Sequence, residues 1–544
     1  MSAVDAIPLL LGGNPGYQAQ RSLRFRSAAS ASLSRTPSAA SNRRTWTWSG
    51  WAKRGTLGVI QGLFSARQAK DDISGAYIWT GDKLTFIDRP GVTNLQLTTT
   101  MVLRDPSAHY HLIFQADTTN ATASDRFKIY VNGVRVTAFD TATYPAQNYE
   151  IAYINNTQDH RIGAFQDNTP SNFDGYLSDV HFIDGQALTP AAFGQFDSNG
   201  MWQPKPYTGT YGANGFRLRF DDATSTTTLM ADSSGNGNNW TANNISLTTG
   251  PTYDSMLDVP LGSGGAERGN HPVLNRLSHA LAANVIGEGN LSLVNYAGTY
   301  YTSAGSTFYV SSGKWYFEAS MTGSGASNTV GVHKGTSYTG STVSTSGAYQ
   351  TQAGSVGYTS DTGVISLGGV TQSTGATWTA GDAIGVALDM TAGTVQFYKN
   401  NVAQGSPVTG ISGDYTPAFA LNYFATSTLY PNFGQRPFAY TPPVGFKPLH
   451  TGNLSAGAVA ASGSFSGNAA ADGPFVWCNG TPETLAINGN AVTWGTHADR
   501  LANGFKLRTA STSYNASGTN TWTATVLSPQ SKSAFNIQTA KANP

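Results

Sequence analysis

The feature that most constrains this chain is a regular alternation of apolar with small or polar residues, interrupted at short intervals by turn-forming residues. It is clearest in GDAIGVALDMTAGTVQFYKNN, residues 381–401. Successive side chains of a strand point to opposite faces, so every second residue of this stretch shares a face. Turns at MTAGT and at Asn400-Asn401 make it an antiparallel hairpin. Its inward residues are predicted to be Ile384, Val386, Leu388, Val395 and Phe397.

The composition extends this plan to the whole chain. There are 61 Gly and 24 Pro but only 12% charged residues, which is unlike a helical protein. Hydrophobic residues make up 39%, with 25 Tyr, 25 Phe and 11 Trp, and they suffice to fill cores. A chain of 544 residues is too long for one core. We therefore predict an all-β protein of two to four domains.

Further turns follow from local turn chemistry. Asn132-Gly133 supplies two residues that tolerate positive φ between the strands of residues 127–139. The same reasoning predicts hairpins around Ser311–Gly313, within residues 355–369 and around Asn488-Gly489, and a short helical turn within residues 186–196.

Strand-rich and linker-like stretches divide the chain into five parts. The predicted parts are a lead-in over residues 1–20, a first strand-rich domain over 21–200, a linker with a strand over 201–262, a second strand-rich domain over 263–450, and a linker with a small C-terminal β domain over 451–544. In the lead-in, Leu9–Leu11 either anchor the chain on a neighbouring subunit or tuck in at a frayed end.

Charge and targeting signals narrow the function classes. The net charge is +1, which argues against a nucleic-acid partner. The one dense basic stretch is predicted to be a solvated face; it contains Arg21, Arg24, Arg26, Arg35, Arg43, Arg44, Lys53 and Arg54. The single cysteine, Cys478, permits no internal disulfide and is read as a small buried side chain. The N-terminus is a poor signal peptide and no window is apolar enough to insert in a membrane.

Candidate catalytic and metal-binding groups are sparse. The glutamates, which are Glu150, Glu267, Glu288, Glu318 and Glu483, form no close pair of the kind that glycosidases use. Four strand-end aspartates, Asp88, Asp179, Asp184 and Asp389, are read as turn residues. His109 and His111 share a strand face but have no further ligand nearby, and Asp232 to Gly237 resembles only the start of a calcium loop. We predict no catalytic residue, no cofactor and no metal.

Aromatic residues are the remaining candidates for binding. Trp46 and Trp48 share one strand face and Trp51 lies on the other, and we read the pair as core although strand aromatics can also stack on sugars. Loop tyrosines are better placed to contact a partner: Tyr207, Tyr211, Tyr338, Tyr349 and Tyr415.

Two stretches resemble known families. SLRFRSAASASLSRTP, RTWTWSGWAKRG, FKIYVNGVRV and FDGYLSDVHFIDGQALTPAAFG, within residues 21–200, resemble a laminin-G-like, concanavalin A-like domain. GKWYFEASMTG, GSVGYTSDTG, GDAIGVALDMTAGTVQFYKNNV and NFGQRPF, within about 306–440, resemble a SPRY-type domain. The resemblance implies tandem jelly-roll β-sandwiches. Their pairing is similar to virion proteins of tailed bacteriophages, such as tail fibres and tail appendages.

The function implied is that of a non-enzymatic structural protein of a phage virion. It would display sandwich loops for host attachment, with polysaccharide as receptor and other virion proteins as partners, and it would be a homo-oligomer, trimeric by analogy with fibres. Alternatives are a capsid decoration or tail adaptor that binds only virion proteins, and a polysaccharide depolymerase. The expected location is the virion, assembled in the host cytoplasm.

Overall fold

The computed structural model describes residues 17–454, apart from short gaps, and the backbone of strands between residues 458 and 541. The gaps are residues 70, 166–170, 198–199, 261–266, 277–284, 296–301, 324, 336–348 and 423–426. Leu9–Leu11 and Tyr338 therefore lie outside the described residues. The described chain is almost entirely β, as predicted, and among its residues no helix has the length and apolar character to cross a membrane.

The first half of the chain forms a two-layer sandwich, here called the first sandwich. Besides the short helix α1 (Thr226–Leu229) and a 3-10 turn at Pro190–Ala192, where a helical turn was predicted, its region contains these strands: β1 (Ser22–Phe25), β2 (Ser32–Arg35), β3 (Thr45–Arg54), β4 (Gln61–Ala69), β5 (Asp72–Ile78), β6 (Lys83–Arg89), β7 (Leu95–Val102), β8 (His109–Asp117), β9 (Phe127–Val131), β10 (Val134–Arg135), β11 (Phe139–Thr143), β12 (Asp159–Ile162), β13 (Gly175–Asp184), β14 (Gly194–Phe196), β15 (Trp202–Pro204), β16 (Phe216–Leu218), β17 (Thr241–Asn243) and β18 (Ser255–Met256).

Two sheets of this sandwich enclose one aromatic core. One sheet has the order β10-β9-β8-β3-β13-β1-β18, with β16 also on β13, and the other has the order β11-β7-β6-β5-β4-β12-β2-β17. Trp46 and Trp48 point from β3 into the core and are fully buried, which confirms the core interpretation. Their rings contact aromatic side chains of both sheets, including Phe86 and Phe64. The packed aromatic core thus holds the two sheets in place, and with them the side chains on their solvent-facing sides.

The segment between residues 201 and 262 is more than a linker. Its strands β16, β17 and β18 pair with β13, β2 and β1, so it adds to both sheets of the first sandwich. Leu229 and Trp240 from this segment join the same core. The predicted boundaries at residues 200, 262 and 450 stay predictions.

A second sandwich follows. Its strands are β19 (Ile286–Gly287), β20 (Ser292–Val294), β21 (Thr302–Gly305), β22 (Lys314–Gly323), β23 (Thr329–Lys334), β24 (Val356–Thr359), β25 (Val364–Leu367), β26 (Val370–Thr374), β27 (Ala383–Asp389), β28 (Thr394–Lys399), β29 (Val402–Thr409), β30 (Tyr415–Leu421), β31 (Ser427–Asn432) and β32 (Lys447–Pro448). The sheet orders are β19-β20-β31-β22-β27-β28-β29, with β32 on β22, and β21-β30-β23-β24-β25-β26.

The hairpin predicted from residues 381–401 is present as β27 and β28. Val386 pairs with Phe397 and Leu388 with Val395, and these inward side chains are buried. Asn400 and Asn401 have φ values of 48° and 68° and form the turn into β29. The hairpins predicted at Asn132-Gly133 and within residues 355–369 also form.

Replacing Asn401 with alanine should lower the free energy of unfolding by about 1 kcal/mol, because only glycine and asparagine tolerate left-handed φ at little cost. The measurement is urea unfolding of the whole protein. Asn401→Gly is the matched control and should stay close to the wild type. An equal loss of unfolding free energy in both variants would show that the left-handed φ of residue 401 is not what destabilises Asn401→Ala.

The hairpin predicted around Ser311–Gly313 is wrong. Val310 instead forms a bridge to Tyr415, whereas β22 pairs with β27 and β31. Alternation on both sides of a turn therefore did not identify the true partners, because they lie more than 60 residues away in the sequence.

The chain divides into two compact units. One holds both sandwiches, up to Gln195 and from Pro204 to Asn453, and the other holds Phe196–Gln203 and the chain from Leu454. In the second unit the strands are β33 (Ala458–Ser466), β34 (Ala471–Cys478), β35 (Pro482–Ile487), β36 (Asn490–Ala491), β37 (Lys506–Thr509), β38 (Thr519–Leu527) and β39 (Asn536–Lys541). They form sheets of order β33-β38-β35-β36 and β37-β34-β39. Pairing of Ile487 with Asn490 confirms the hairpin predicted there.

The basic stretch between Arg21 and Arg54 is only in part a solvated face, because half of its cations are buried. Arg24, Lys53 and Arg54 are fully buried, and Arg26 is nearly so. Each pairs with a carboxylate: Arg24 and Arg26 with Asp254, Lys53 with Asp258 and Arg54 with Asp82. The prediction failed because these partners come from elsewhere in the chain, and pairing is what makes burial of a charge tolerable.

Candidate functional site

A groove of about 880 Å³ lies on the outer face of the first sandwich. It is built on strands β4 to β7, whose inner faces belong to the core. Successive residues of β5 point to opposite faces of the sheet. Ala76 and Ile78 point into the core, whereas Ile73 and Tyr77 belong to a small apolar cluster outside it. The sheet therefore carries apolar side chains on both faces over this region, and no sheet of the described strands packs on the outer set.

Aromatic rings form the floor of the groove. The ring centroid of Tyr77 lies 4.4 Å from that of Phe165 and 5.5 Å from that of Trp79. Tyr77 is nearly buried, and burial raises the pKa of its phenol to about 12, so it is neutral at physiological pH. Trp79 is 43% exposed, and its ring is the large apolar surface that this floor offers to solvent.

Backbone geometry positions both outer rings. Trp79 follows β5 on a tight turn, where its N–H donates to the Lys83 carbonyl at 2.8 Å. Phe165 is brought in by the chain that crosses β4 at Gly62, where a Cβ would lie 2.3 Å from the Phe165 nitrogen. Any side chain at Gly62 would therefore push Phe165 off the floor.

The rim of the groove is polar and carries little net charge. The guanidinium of Arg89 is held by Asp71, with Nε donating to its carbonyl at 2.9 Å and Nη2 to Oδ1 at 3.1 Å. The other polar lining residues are amides and hydroxyls: Ser27, Gln61, Thr80, Thr93, Gln96, Thr98, Thr141, Ser171 and Asn172. None of the described residues that line the groove is aspartate, glutamate or histidine.

This arrangement is suited to binding rather than to hydrolysis. A flat ring can stack on the C–H face of a sugar, while amides and hydroxyls satisfy its hydroxyl groups. Glycoside hydrolysis, in contrast, requires two carboxyl groups that flank the scissile bond. The groove as a whole is not predicted by any local sequence pattern, because its residues come from separate strands and loops.

The tyrosines predicted to contact a partner are mostly buried. Tyr211, Tyr349 and Tyr415 are each less than a tenth exposed, and that prediction is wrong for them. Of the four that the structure describes, Tyr207 alone is half-buried. Trp51 is buried on the face of β3 opposite the core, and its ring stacks on that of His111 with 4.7 Å between the ring centroids.

His109 and His111 do not form a metal site. His111 Nε2 lies 2.8 Å from Ser49 Oγ, and burial lowers the pKa of its imidazole to about 3. This pair has the spacing of a nucleophile and base, but Ser49 is fully buried, so a substrate could not reach it. Among the residues that the structure describes, no group of three His, Cys, Asp or Glu side chains is arranged to hold a metal.

The predicted aspartates serve as hydrogen-bond acceptors within the fold. Asp389 accepts from the backbone N–H groups of Thr391 and Ala392, as expected for a turn residue. Asp88 and Asp179 are instead buried inside strands β6 and β13, which corrects their reading as turn residues, whereas Asp184 is buried at the end of β13.

The loop that begins at Asp232 is a hydrogen-bonded turn. Asp232 Oδ1 accepts from the N–H groups of Arg217 and Ser234, and Oδ2 accepts from Asn238. These donors occupy the carboxylate that a calcium ion would need.

Comparison with known proteins identifies part of the second sandwich. Residues 314–436 match the family model described as SPRY domain. The E3 ubiquitin-protein ligase RKP of Arabidopsis thaliana is 40% identical over 80 residues, which are 14% of this chain and 6% of the ligase. The chain thus spans a small fraction of that protein. The SPRY part of the predicted resemblance is confirmed, whereas a phage origin stays a prediction.

Solved structures of β proteins are also similar. The SPRY domain of human HERC1 is 18% identical, covers 26% of this chain and 87% of its own, and has a TM-score of 0.23. A heptameric SAP-like pentraxin from Limulus polyphemus is 17% identical, covers 31% of this chain and 78% of its own, and has a TM-score of 0.25.

Proposed function

We propose that this chain is a non-enzymatic glycan-binding protein and that the groove of the first sandwich is its binding site. The observation that carries the proposal is the 43% exposed ring of Trp79 beside a groove of about 880 Å³. Contact between water and the apolar ring of an exposed tryptophan is unfavourable. A ligand that covers the ring therefore gains the free energy of burying this apolar surface.

The chemistry of the lining supports an uncharged sugar chain as ligand. Arg89 is paired with Asp71, so the described lining residues offer no unbalanced charge to an acidic or basic ligand. Amide and hydroxyl groups instead provide both donors and acceptors, which suits the hydroxyl groups of neutral sugars. Trp79 supplies the stacking surface, and the buried ring of Tyr77 packs beside it.

We further propose that the protein acts in this way on a phage virion. The support is the resemblance of the laminin-G-like and SPRY-like pairing to tail fibres and appendages. A virion presents several copies of such a protein, so weak binding at each groove would add up to firm attachment to the host surface. Host polysaccharide is then the receptor, and other virion proteins are the remaining partners.

Replacing Trp79 with alanine should weaken glycan binding at least about 30-fold, because a central tryptophan commonly contributes 2 kcal/mol or more. The measurement is a glycan array followed by titration calorimetry with the best neutral oligosaccharide. Val134→Ala is the matched control, since Val134 is 62% exposed on the other sheet. It should bind as the wild type does.

Two results would overturn the proposal. Unchanged affinity in Trp79→Ala would show that the groove is not the site. Release of reducing sugar from host polysaccharide by the pure protein would show a depolymerase, which was the enzymatic alternative.

A further inference from the structure

Lys53 lies at the junction of the two sandwiches and is surrounded by acceptors. Its Nζ donates to Asp258 Oδ2 at 2.8 Å, to Asn270 Oδ1 at 2.8 Å and to the His271 carbonyl at 2.6 Å. Lys53 and Asp258 are both fully buried. A buried lysine and a buried carboxyl group therefore meet a partly buried side-chain amide.

The amide of Asn270 is held in one orientation. Its Nδ2 donates to the Ser107 carbonyl at 2.7 Å, so Oδ1 is the atom that faces Lys53. The backbone N–H of Asn270 donates to Thr451 Oγ1 at 3.0 Å, which fixes the main chain on the other side. The amide group is thus held beside the lysine nitrogen, with its oxygen 2.8 Å from Nζ, so the two reacting groups are already close together.

The surroundings favour the uncharged forms of the lysine and the carboxyl group. Burial lowers the pKa of Lys53 and raises that of Asp258, although their mutual attraction opposes both shifts. His109 lies beside the pair, with its Nε2 3.9 Å from Asp258 Oδ1, and it is buried. A proton can therefore pass from the ammonium to the carboxylate, which leaves a nucleophilic amine.

We propose that Lys53 and Asn270 form an intramolecular isopeptide bond, with Asp258 as the proton carrier. Lys53 Nζ attacks Cγ of Asn270, and Asp258 donates a proton to the carbonyl oxygen of the resulting tetrahedral intermediate. The second proton of Nζ then passes through Asp258 to Nδ2. As the intermediate collapses, its hydroxyl group returns a proton to Asp258, the bond between Cγ and Nδ2 breaks, and the amino group leaves as ammonia. One amide is exchanged for another, and no oxidant or other reactant is consumed.

The bond would join two distant parts of the chain. Lys53 lies in β3 of the first sandwich, and Asn270 lies 217 positions later, in the segment that leads into the second sandwich. The crosslink would hold the two sandwiches together under load, much as a disulfide does, in a chain whose single cysteine cannot form an internal one.

A tryptic digest of the folded wild-type protein tests the proposal directly. Cleavage after Arg44, Arg54, Arg268 and Arg276 should give one branched peptide that joins residues 45–54 to residues 269–276. Its mass should be the sum of the two peptides less one ammonia, and fragmentation should locate the branch at Lys53 and Asn270. Linear peptides alone, including one that ends at Lys53, would overturn the proposal.

Variants separate the roles within the cluster. Asp258→Asn should abolish the branched peptide while Lys53 and Asn270 remain. Asp140→Ala is the control, since Asp140 pairs with the partly exposed Lys83, and it should keep the branch. A branch that persists fully in Asp258→Asn, or one that joins Lys53 to the peptide of Asp258 with loss of water, would contradict the assigned roles.

Discussion

Replacing Asp254 with alanine should lower the free energy of unfolding by about 4 kcal/mol, because it removes the buried carboxylate partner of Arg24 and leaves Arg26 only the longer contact with Glu288, at 3.6 Å. Asp254 is fully buried, and its Oδ1 accepts from Arg24 Nε at 3.1 Å and from Arg26 Nε at 2.9 Å. Its Oδ2 also accepts from the N–H of Ser246 at 2.9 Å. Urea unfolding followed by tryptophan fluorescence measures the loss.

Glu150→Ala is the matched control for this prediction. Glu150 also pairs with two arginines, Arg43 and Arg44, but its side chain is 42% exposed. Water screens such pairs, so the control should lose less than about 1 kcal/mol. A similar loss in both variants would show that burial does not set the strength of the pairing with Asp254.

The sequence predicts local structure well where the determinants are close together. The hairpin of β27 and β28 follows from alternation and from the turn residues Asn400 and Asn401, all within 21 residues. Trp46 and Trp48 were read correctly as core, because two aromatic rings on one strand face gain most from burial.

Contacts between residues that are far apart in the sequence were not predicted. Arg24 and Asp254 are 230 positions apart, so nothing near Arg24 indicates that its charge is paired and buried. The buried tyrosines were misread for a related reason, since loops that look exposed in sequence can be covered by other parts of the fold.

One pattern in the sequence does indicate the floor of the groove. In β5 and the residue after it, Ile73, Tyr77 and Trp79 alternate with Ala76 and Ile78, so both faces of the strand are apolar. A strand in an antiparallel sandwich usually has one polar face. Apolar residues on both faces therefore indicate a second surface that is covered or used, although the polar rim around it could not be assembled from sequence.

Acidification should destabilise the first sandwich because it contains histidines that are buried as neutral imidazoles. Burial lowers the pKa of His111 to about 3 and that of His160 to about 4. In the unfolded chain both would titrate near about 6.5, so their contribution is complete above that pH and is lost as the pH falls below it. Between about pH 7.5 and about pH 4.5 the two histidines should together lower the free energy of unfolding by about 5 kcal/mol.

A variant isolates this effect from that of buried carboxyl groups. Burial raises the pKa of Asp88 and Asp258, which acts in the opposite direction as the pH falls. His111→Gln should reduce the slope of unfolding free energy against pH, between about pH 6 and about pH 4.5, by about 1.4 kcal/mol per pH unit, or one proton. Leu112→Ala, which removes a buried neighbour without a titratable group, should lower stability and leave the slope unchanged. An unchanged slope in His111→Gln would show that His111 is not buried as the neutral imidazole.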